Sequence, residues 1–398
     1  MAKTDKCSRR FTEGLKKITK NFRVFIPVKM DEFYKRCTHC IMDTTDPDIE
    51  FDDSGVCNHC RTYYEMAKKK IVTGREGEQK LQQIAQEIKE HGKNKKYDCI
   101  IGLSGGVDSS FAAYQSKRLG LRPLAVHFDN GWNSEIATRN IENIVRKLNF
   151  DLYTYVADWE EFKDLQLSFL KASVVDIDVV TDHAIWGTIY NVAKKKNIRY
   201  IISGTNVATE AIIPSSWLFP LWDIRNIKAI QKRFGRKRLD KFPVHGLFDM
   251  IVTKYIRKFH LVEVLDYIDY NREKATDILK KELGWQCYGK KHYESKFTKF
   301  FQAYILPTKF GIDKRKAHLS TLICSGQITR EEALQEMKKP LYDPKELQED
   351  KDYVLKKLGL SEKEFEEIMY LPVRSHLDYP NNQWIFNFLL KIKRLIKL

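Results

Sequence analysis

The chain has 398 residues, 43% apolar and 31% charged, enough for two or three domains with a substantial core, which excludes wholesale disorder. No run of apolar residues is long enough to span a membrane, and the basic start MAKTDKCSRRFTEG has no apolar run behind it, so it does not read as a secretory signal. Net charge is +16 but local: residues 1–36 carry +7, 225–241 (RNIKAIQKRFGRKRLDK) +7 and 384–398 +4, leaving the rest near −2. That disfavours a polynucleotide-binding surface spread over the body, while one basic patch can serve an RNA, an anionic small molecule or a membrane.

In chain order, residues 1–36 read as a basic extension with no assignable structure. Cys37-Thr-His-Cys40 and Cys57-Asn-His-Cys60 follow. This spacing lets two tight knuckles supply four thiolates to one tetrahedral ion, and four cysteines leave no open position. A structural Zn²⁺ ribbon over 37–63 is expected, with an iron–sulfur cluster as the rival. His39 and His59 lie inside the knuckles and read as neighbours of the ligands. Such cysteine usage fits a reducing cytoplasm.

Leu81, Ile84, Ala85 and Ile88 recur at helical spacing and Gly92 supplies a stop, so 64–95 is a helical linker. Strands are then predicted at 97–103, 122–130, 151–158 and 199–206, with helices at 111–120, about 134–149, 160–173 and 181–197. This alternation predicts an α/β domain over 96–215, a parallel sheet with helices on both faces and its ligand at the carboxyl ends of the strands. Beyond 215 the pattern turns irregular and Trp-rich, then mostly helical. Residues 216–398 are taken as a substrate or partner region with a basic tail.

The strongest signal is Ser104-Gly105-Gly106-Val107-Asp108-Ser109-Ser110, between the first strand and a helix. Its glycines let backbone amides approach an anion, the helix start adds unsatisfied N–H groups, and the serines add hydroxyl donors. It is neither a Walker A loop nor Gly-x-Gly-x-x-Gly. Phe128-Asp129-Asn130-Gly131-Trp132 and Ser203-Gly204-Thr205-Asn206 follow two further strands and converge on the same sheet edge. Asp182 and His183 open a helix, as a cap or as catalytic groups.

SGGVDSS resembles the PP-loop of the N-type ATP pyrophosphatases, which include asparagine synthetase, GMP synthetase and the tRNA thiolation and lysidine enzymes. The resemblance implies an adenine nucleotide α-hydrolase-like fold. It also implies ATP cleaved between the α and β phosphates, with the loop holding pyrophosphate and Mg²⁺. A substrate carbonyl oxygen is adenylylated, and ammonia or sulfide displaces AMP. GKKHYESKFTKFF (289–301), LPTKFGIDKRKAHLS (306–320) and SHLDYP (375–380) are similar to the N-acetyl sugar amidotransferases of bacterial surface-polysaccharide and pseudaminic-type sugar biosynthesis. The likeness runs from about Arg36 to near the C-terminus.

That likeness implies conversion of a sugar acetamido group into an acetamidino group, on an N-acetylated sugar or nucleotide-sugar destined for lipopolysaccharide O-antigen or another surface glycan. It assigns Ser104, Gly105, Gly106, Asp108, Ser109 and Ser110 to pyrophosphate and Mg²⁺, and Asp129, Gly204, Thr205 and Asn206 to the nucleotide. His292, Glu294, Asp313 and Arg315 become candidates for sugar binding and proton transfer, with Asp108 and Ser109 also counted as catalytic. From the residues alone, those four read equally as a helix-surface ion-pair cluster.

Cys7, Cys99, Cys287 and Cys324 lack a glutaminase elbow and Ala2 follows Met1, so ammonia is expected from a separate glutaminase. The resemblance makes that partner akin to the glutaminase and channel subunits of imidazole glycerol phosphate synthase. The patch 225–241 is a candidate seat for a sugar diphosphate or for that partner, or simply a solvated face. The tail 384–398 reads as a helix docked on the core or as a peripheral contact with the inner membrane leaflet of a bacterial, cytoplasmic protein. The rival functions are a PP-loop tRNA-modifying enzyme and a zinc-ribbon scaffold with a decayed ATP site.

Overall fold

Five parallel strands order β3-β2-β1-β4-β5 form the central sheet: β1 Cys99–Gly102, β2 Pro123–Asp129, β3 Asp151–Val156, β4 Tyr200–Ser203 and β5 His260–Glu263. This is a computed structural model, and it describes residues 34–289 and 293–395. The expectations for 1–33 and for His292 therefore fall outside the described residues. Residues Arg36–Leu398 make one unit. The chain runs from β1 outward to β2 and β3, then returns to place β4 and β5 on the other side of β1. That reversal puts the topological switch point at the carboxyl ends of β1 and β4, where an open α/β sheet leaves a crevice.

β1, β2 and β4 are short apolar runs because the middle of the sheet is covered on both faces, whereas the edge strand β3 has no buried residue. On one face Cys99, Ile101 and Ile202 pack with Leu81 and Ile88 of helix α2 (Gly74–Gly92), Val107 and Phe111 of α3 (Val107–Arg118), and Ile141 and Ile144 of α4 (Glu135–Leu148). On the other, Ile100, Leu124, Val126 and Ile201 meet Ile189, Val192 and Ala193 of α6 (Val179–Lys196). Helix α1 (Asn58–Lys70) leaves the ribbon, and α5 (Trp159–Ala172) packs Phe162, Leu165 and Phe169 into a larger core shared with the C-terminal region. Each of those three side chains is buried, which contributes about 2–3 kcal/mol apiece before entropy is counted. Local chemistry sets the helix ends. Ser134 and Asp158 accept hydrogen bonds from Ala137 N and Glu161 N, while Asn149, Ser173 and Asn197 close their helices with positive φ.

β5 departs from the expectation of a mostly helical region after 215. It is four residues long with only Val262 buried, and it joins the sheet at an edge, so no clear alternation announces it. The remainder is helical as expected: α7 Ile224–Phe234, α8 Arg272–Leu283, α9 Lys296–Phe300, α10 Arg315–Cys324, α11 Arg330–Lys338, α12 Pro344–Leu358, α13 Glu362–Tyr370 and α14 Gln383–Leu395. Helix α9 continues as π-helical turns over Phe301–Phe310, which contain Pro307. Among the described residues, no helix is long and apolar enough to cross a membrane.

Candidate active site

The loop Ser104–Ser110 sits at the switch point. Gly105 has φ +81°, and a Cβ there would meet the Ala137 carbonyl oxygen at 2.6 Å, so glycine is required on both conformational and steric grounds. Its own carbonyl accepts from Trp285 Nε1 at 3.0 Å. Ser104 and Ser109 hydroxyls lie 3.1 Å apart, Ser109 Oγ also accepts from Ser104 N, and Gly106 N donates to Ser104 Oγ at 3.3 Å. Helix α3 begins at Val107, so its first amides face the same space. Asp108 accepts a hydrogen bond from Tyr270 OH. Burial and the Asp108 charge push the Tyr270 phenol well above its ordinary range, so it remains a donor.

These groups open into one cavity of about 1380 Å³. Ser104, Gly106, Asp108, Ser109, Gly204, Thr205, Glu294, Asp313 and Arg315 all line it, so residues scattered over two hundred positions meet at one cavity. Gly204 is packed against α3: a Cβ there would lie 2.6 Å from Asp108 C and Ser109 N. Three predicted side chains are used elsewhere. Ser110 is fully buried behind the loop. Asp129 Oδ1 accepts from Gly131 N at 2.8 Å and from Asn133 Nδ2 at 3.2 Å, closing its own turn. Asn206 Oδ1 accepts from Thr209 N at 2.9 Å and caps the next helical turn. None of the three lines the cavity.

Glu294 reaches the loop through backbone pairing. Ser134 N donates to Glu294 O and Lys296 N to Trp132 O, each at 2.8 Å, stitching this segment to the loop after β2. Its Oε1 lies 3.5 Å from where a Cβ on Gly106 would stand. Asp313 and Arg315 hold each other at 2.7 Å, and Arg315 also donates to Glu336 O and Lys339 O. The pair is a fastening of α11 as well as part of the wall.

Several lining groups were missed. His127 Nδ1 donates to Leu103 O at 2.8 Å, Asn133 Nδ2 donates to Nε2 at 2.9 Å, and burial lowers the ring's pKa, so it is neutral. Lys314, Asp176 and Asp178 also face the cavity, as does Asp182, which the sequence had marked as a cap or a catalytic group. The N-cap of α6 is Asp178, not Asp182, and His183 is buried with Nδ1 donating to Leu221 O at 2.7 Å, so His183 is structural. The acidic run 176–182 was the available signal. The patch 225–241 does not line the cavity: Gln231, Arg236 and Lys237 are tied to Asp164 of α5. A sugar-diphosphate role for it in this cavity is thereby removed. In α14, Trp384 and Phe388 are exposed while Ile385 and Phe386 are half-buried.

Cys37, Cys40, Cys57 and Cys60 are buried together. Their sulfurs lie 3.8 Å apart for Cys37–Cys60, and 3.7 Å for Cys40–Cys57 and Cys57–Cys60. A tetrahedron of thiolates at Zn–S about 2.3 Å has edges of about 3.8 Å, so the set fits a single ion. Amides of His39, Cys40 and Cys57 donate to Cys37 Sγ, which favours thiolate. His59 pairs with Asp46 and His39 with Tyr64, while His39 and Cys324 also bring ligand atoms within reach of an ion beside Cys60. The ribbon is seated on the cavity wall: Arg330 donates to Cys40 O and Cys37 O at 3.1 Å, Ile41 N to Ser320 Oγ at 3.2 Å, and Lys316 pairs with buried Asp43 at 2.7 Å.

Residues 294–393 match the family model of the LPS biosynthesis protein WbpG-like C-terminal domain. This segment is WbpG-like. The match covers part of the stretch in which the motifs at 289–301, 306–320 and 375–380 carry the resemblance, and agrees with it there. The WbpG-like segment supplies Glu294, Asp313 and Arg315 to the cavity. Among curated proteins, the chain is 38% identical over 76 residues to a tRNA(Ile)-lysidine synthase of Chlamydia pneumoniae, 18% of this chain and 23% of that one. It is 24% identical over 177 residues to an uncharacterized protein of Methanocaldococcus jannaschii, 42% of this chain and 58% of that one. The chain thus spans less than two thirds of either relative. Among solved structures, an NH3-dependent NAD synthetase from Campylobacter jejuni is similar at 16% identity and TM-score 0.29, covering 66% of this chain and 97% of that one. An NMN synthetase from Francisella tularensis is similar at 16% identity and TM-score 0.27, covering 56% and 92%.

Proposed function

We propose that the chain is an ATP-dependent, AMP-forming amidotransferase. It would convert the acetamido group of an N-acetylated sugar or nucleotide-sugar into an acetamidino group for lipopolysaccharide O-antigen or a related surface glycan. The observation that supports this is the shared cavity, where the phosphate loop and the WbpG-like residues Glu294, Asp313 and Arg315 face one space. At about 1380 Å³ it exceeds the usual single-ligand pocket of about 300–1,000 Å³, leaving room for ATP and a sugar together.

In this reading Ser104, Ser109, Gly106 N–H and the start of α3 hold the pyrophosphate, and Gly204 and Thr205 lie along the nucleotide. Asp108, oriented by Tyr270, would hold Mg²⁺, which screens the leaving charge. The amide oxygen attacks the α-phosphorus and pyrophosphate leaves. Ammonia then adds at the amide carbon, and AMP departs with the former amide oxygen. Glu294 stands beside the loop to accept a proton, while Asp313 holds the Arg315 guanidinium toward the sugar. The four cysteines would hold structural Zn²⁺. A separate glutaminase would deliver ammonia, with the outward-facing patch 225–241 as its seat and the exposed aromatics of α14 as a membrane contact.

The test is incubation with ATP, Mg²⁺, ammonium and a panel of UDP-linked di-N-acetylated sugars, pseudaminic-type acids and bulk tRNA. AMP and pyrophosphate released only with an acetamido sugar, whose oxygen is exchanged for NH and recovered in AMP as ¹⁸O, is the expected result. AMP release with tRNA instead would reassign the chain to base modification.

A further inference from the structure

The ribbon has a fifth thiol beside it. Cys324 is the last residue of α10 and 7% exposed, and its Sγ lies 3.7 Å from Cys60 Sγ although the two residues are 264 positions apart. That spacing equals the Cys40–Cys57 and Cys57–Cys60 edges of the four-cysteine set. His39 completes a second group: a ring nitrogen of His39, Cys60 Sγ and Cys324 Sγ all lie within 4.8 Å of one another. Among the described residues, the two groups share Cys60 and no other ligand. Cys324 and His39 therefore extend the thiolate set outward from Cys60 rather than compete for the ion inside it.

Three elements bring these groups together. His39 comes from the first knuckle, Cys60 from the first turn of α1 and Cys324 from the end of α10. Tyr64 follows Cys60 by four residues on the same face of α1, and its hydroxyl lies 2.8 Å from His39 Nε2, which steadies the ring beside the two sulfurs. A thiol donating to a thiolate accounts for the Cys60–Cys324 distance by itself. It gives no reason for an imidazole steadied at the same point, whereas a borderline-soft cation takes thiolate and imidazole together. Charge points the same way. Four buried thiolates outweigh one divalent ion, and net charge buried without compensation is costly. A second divalent ion that brings one further thiolate lowers that excess.

We propose that Cys60, Cys324 and His39 hold a second zinc ion, with the Cys60 sulfur bridging it to the ion of the four-cysteine set. This rests on that set holding a metal and is independent of the amidotransferase reading. Each Zn–S bond of about 2.3 Å at the bridge uses a different lone pair of the one sulfur. As the ion binds, the Cys324 thiol gives its proton to water and its sulfur forms the new bond, with no change of oxidation state. Two sulfurs and one nitrogen leave a fourth position, which water fills. None of the three ligands lines the cavity, so that position takes no part in the amidation chemistry. The second ion instead clips the ribbon to the end of α10, whose first residue, Arg315, belongs to the cavity wall. Hydrogen bonds from Arg330 and to Ser320 fasten the same junction.

The test titrates the full chain, metal-free, reduced and kept from air, with Co²⁺, following the thiolate charge-transfer and d–d bands. Zinc bound per chain is then counted by mass spectrometry after gel filtration. The wild type is expected to bind two ions; the second, held by three protein ligands, leaves first when a chelator is added. Cys324→Ser and His39→Ala are each expected to bind one, with the bands of the first equivalent unchanged. Tyr64→Phe should keep both ions and weaken the second about tenfold. The second equivalent of zinc should also raise Tm in the wild type and not in Cys324→Ser. A wild type saturated by one ion overturns the second site and leaves the four-cysteine site standing. A second ion retained by either Cys324→Ser or His39→Ala overturns it too, because the ion then lies elsewhere on the chain. If Cys324→Ser does not fold, His39→Ala decides alone, since His39 is the least buried of the three ligands. A chain that binds no metal ends both readings.

Discussion

Replacing Gly204 by alanine tests the junction on which the nucleotide site depends. The new Cβ would sit 2.6 Å from Asp108 C and Ser109 N and 2.8 Å from Asp108 O, all of them backbone. Ordinary carbon contacts need about 3.5–4.0 Å, so the loop after β4 and the first turn of α3 must separate by about 1 Å. Neither side yields freely. Thr205 N donates to Ser203 Oγ at 3.0 Å, Asn206 Nδ2 donates to Gly204 O at 3.1 Å, and Tyr270 holds Asp108. Overpacking of this kind costs about 1–3 kcal/mol of stability. A shift of about 1 Å between groups that must act on one phosphate costs about 100-fold in rate. Urea denaturation gives the first quantity, AMP formation the second, and calorimetric titration with α,β-methylene-ATP separates binding from chemistry. A Gly204→Ala protein of wild-type stability that binds the analogue within about twofold of normal would refute the reasoning.

Cys57→Ser, or treatment with a strong zinc chelator, should lower stability by at least about 2 kcal/mol and raise the sugar KM more than it lowers ATP binding, because the ribbon is seated on α10 and α11; metal content and the two titrations check this. Asp313→Asn leaves Arg315, only 17% exposed, without its carboxylate and should cost about 2–3 kcal/mol, whereas the Asp313→Asn/Arg315→Met double variant should recover part of that in thermal melts. Burial holds His376 down to about 3, below the 6.5 of a free imidazole, so as pH falls through 6.5 the unfolded chain takes up the proton first. The stability is complete above 6.5 and lost toward 3, at about 1.4 kcal/mol per pH unit. Between pH 6 and 4 the wild type should therefore lose stability more steeply than His376→Phe in urea titrations; equal slopes would rule the effect out. Asp176, raised to about 6, works in the opposite sense in this window, which is why the difference between the two proteins is the readout.

What the sequence showed, and what it hid, follows from how each feature is encoded. Ile100–Ile101, Leu124–Val126 and Ile201–Ile202 announced their strands because a sheet covered on both faces needs unbroken apolar runs. His260–Glu263 did not, since an edge strand with one buried residue carries no period. The phosphate loop was legible because its glycines and serines serve a local conformation. Which serine faces the ligand was not: α3 starts at Val107, so Ser109 and Ser110 diverge by about 100° around the helix, and only Ser109 meets the cavity. Asp129 and Asn206 were chosen as ligand residues although their type is equally suited to closing turns, and turns are where the structure uses them. Lys314 was passed over between Asp313 and Arg315 because its partners, Asp176 to Asp182, lie more than a hundred residues earlier.

The ribbon's seat has a consequence for synthesis on the ribosome. Cys37 and Cys40 emerge among the first tenth of the chain, yet the Arg330 and Ser320 groups that hold them emerge near its last fifth. The knuckles can close on an ion early, but their docked face has to wait, apolar and exposed, for nearly three hundred further residues. Contacts of such long sequence separation are slow to form and leave the nascent chain open to misassembly. Release before α10 and α11 are made would leave the ribbon tied to the sheet domain through contacts such as those of Ser215 and Ser216 with Asp48 and Asp46 but without its main seat, so the truncated chain should be drawn to chaperones and proteases rather than accumulate as a partly active enzyme.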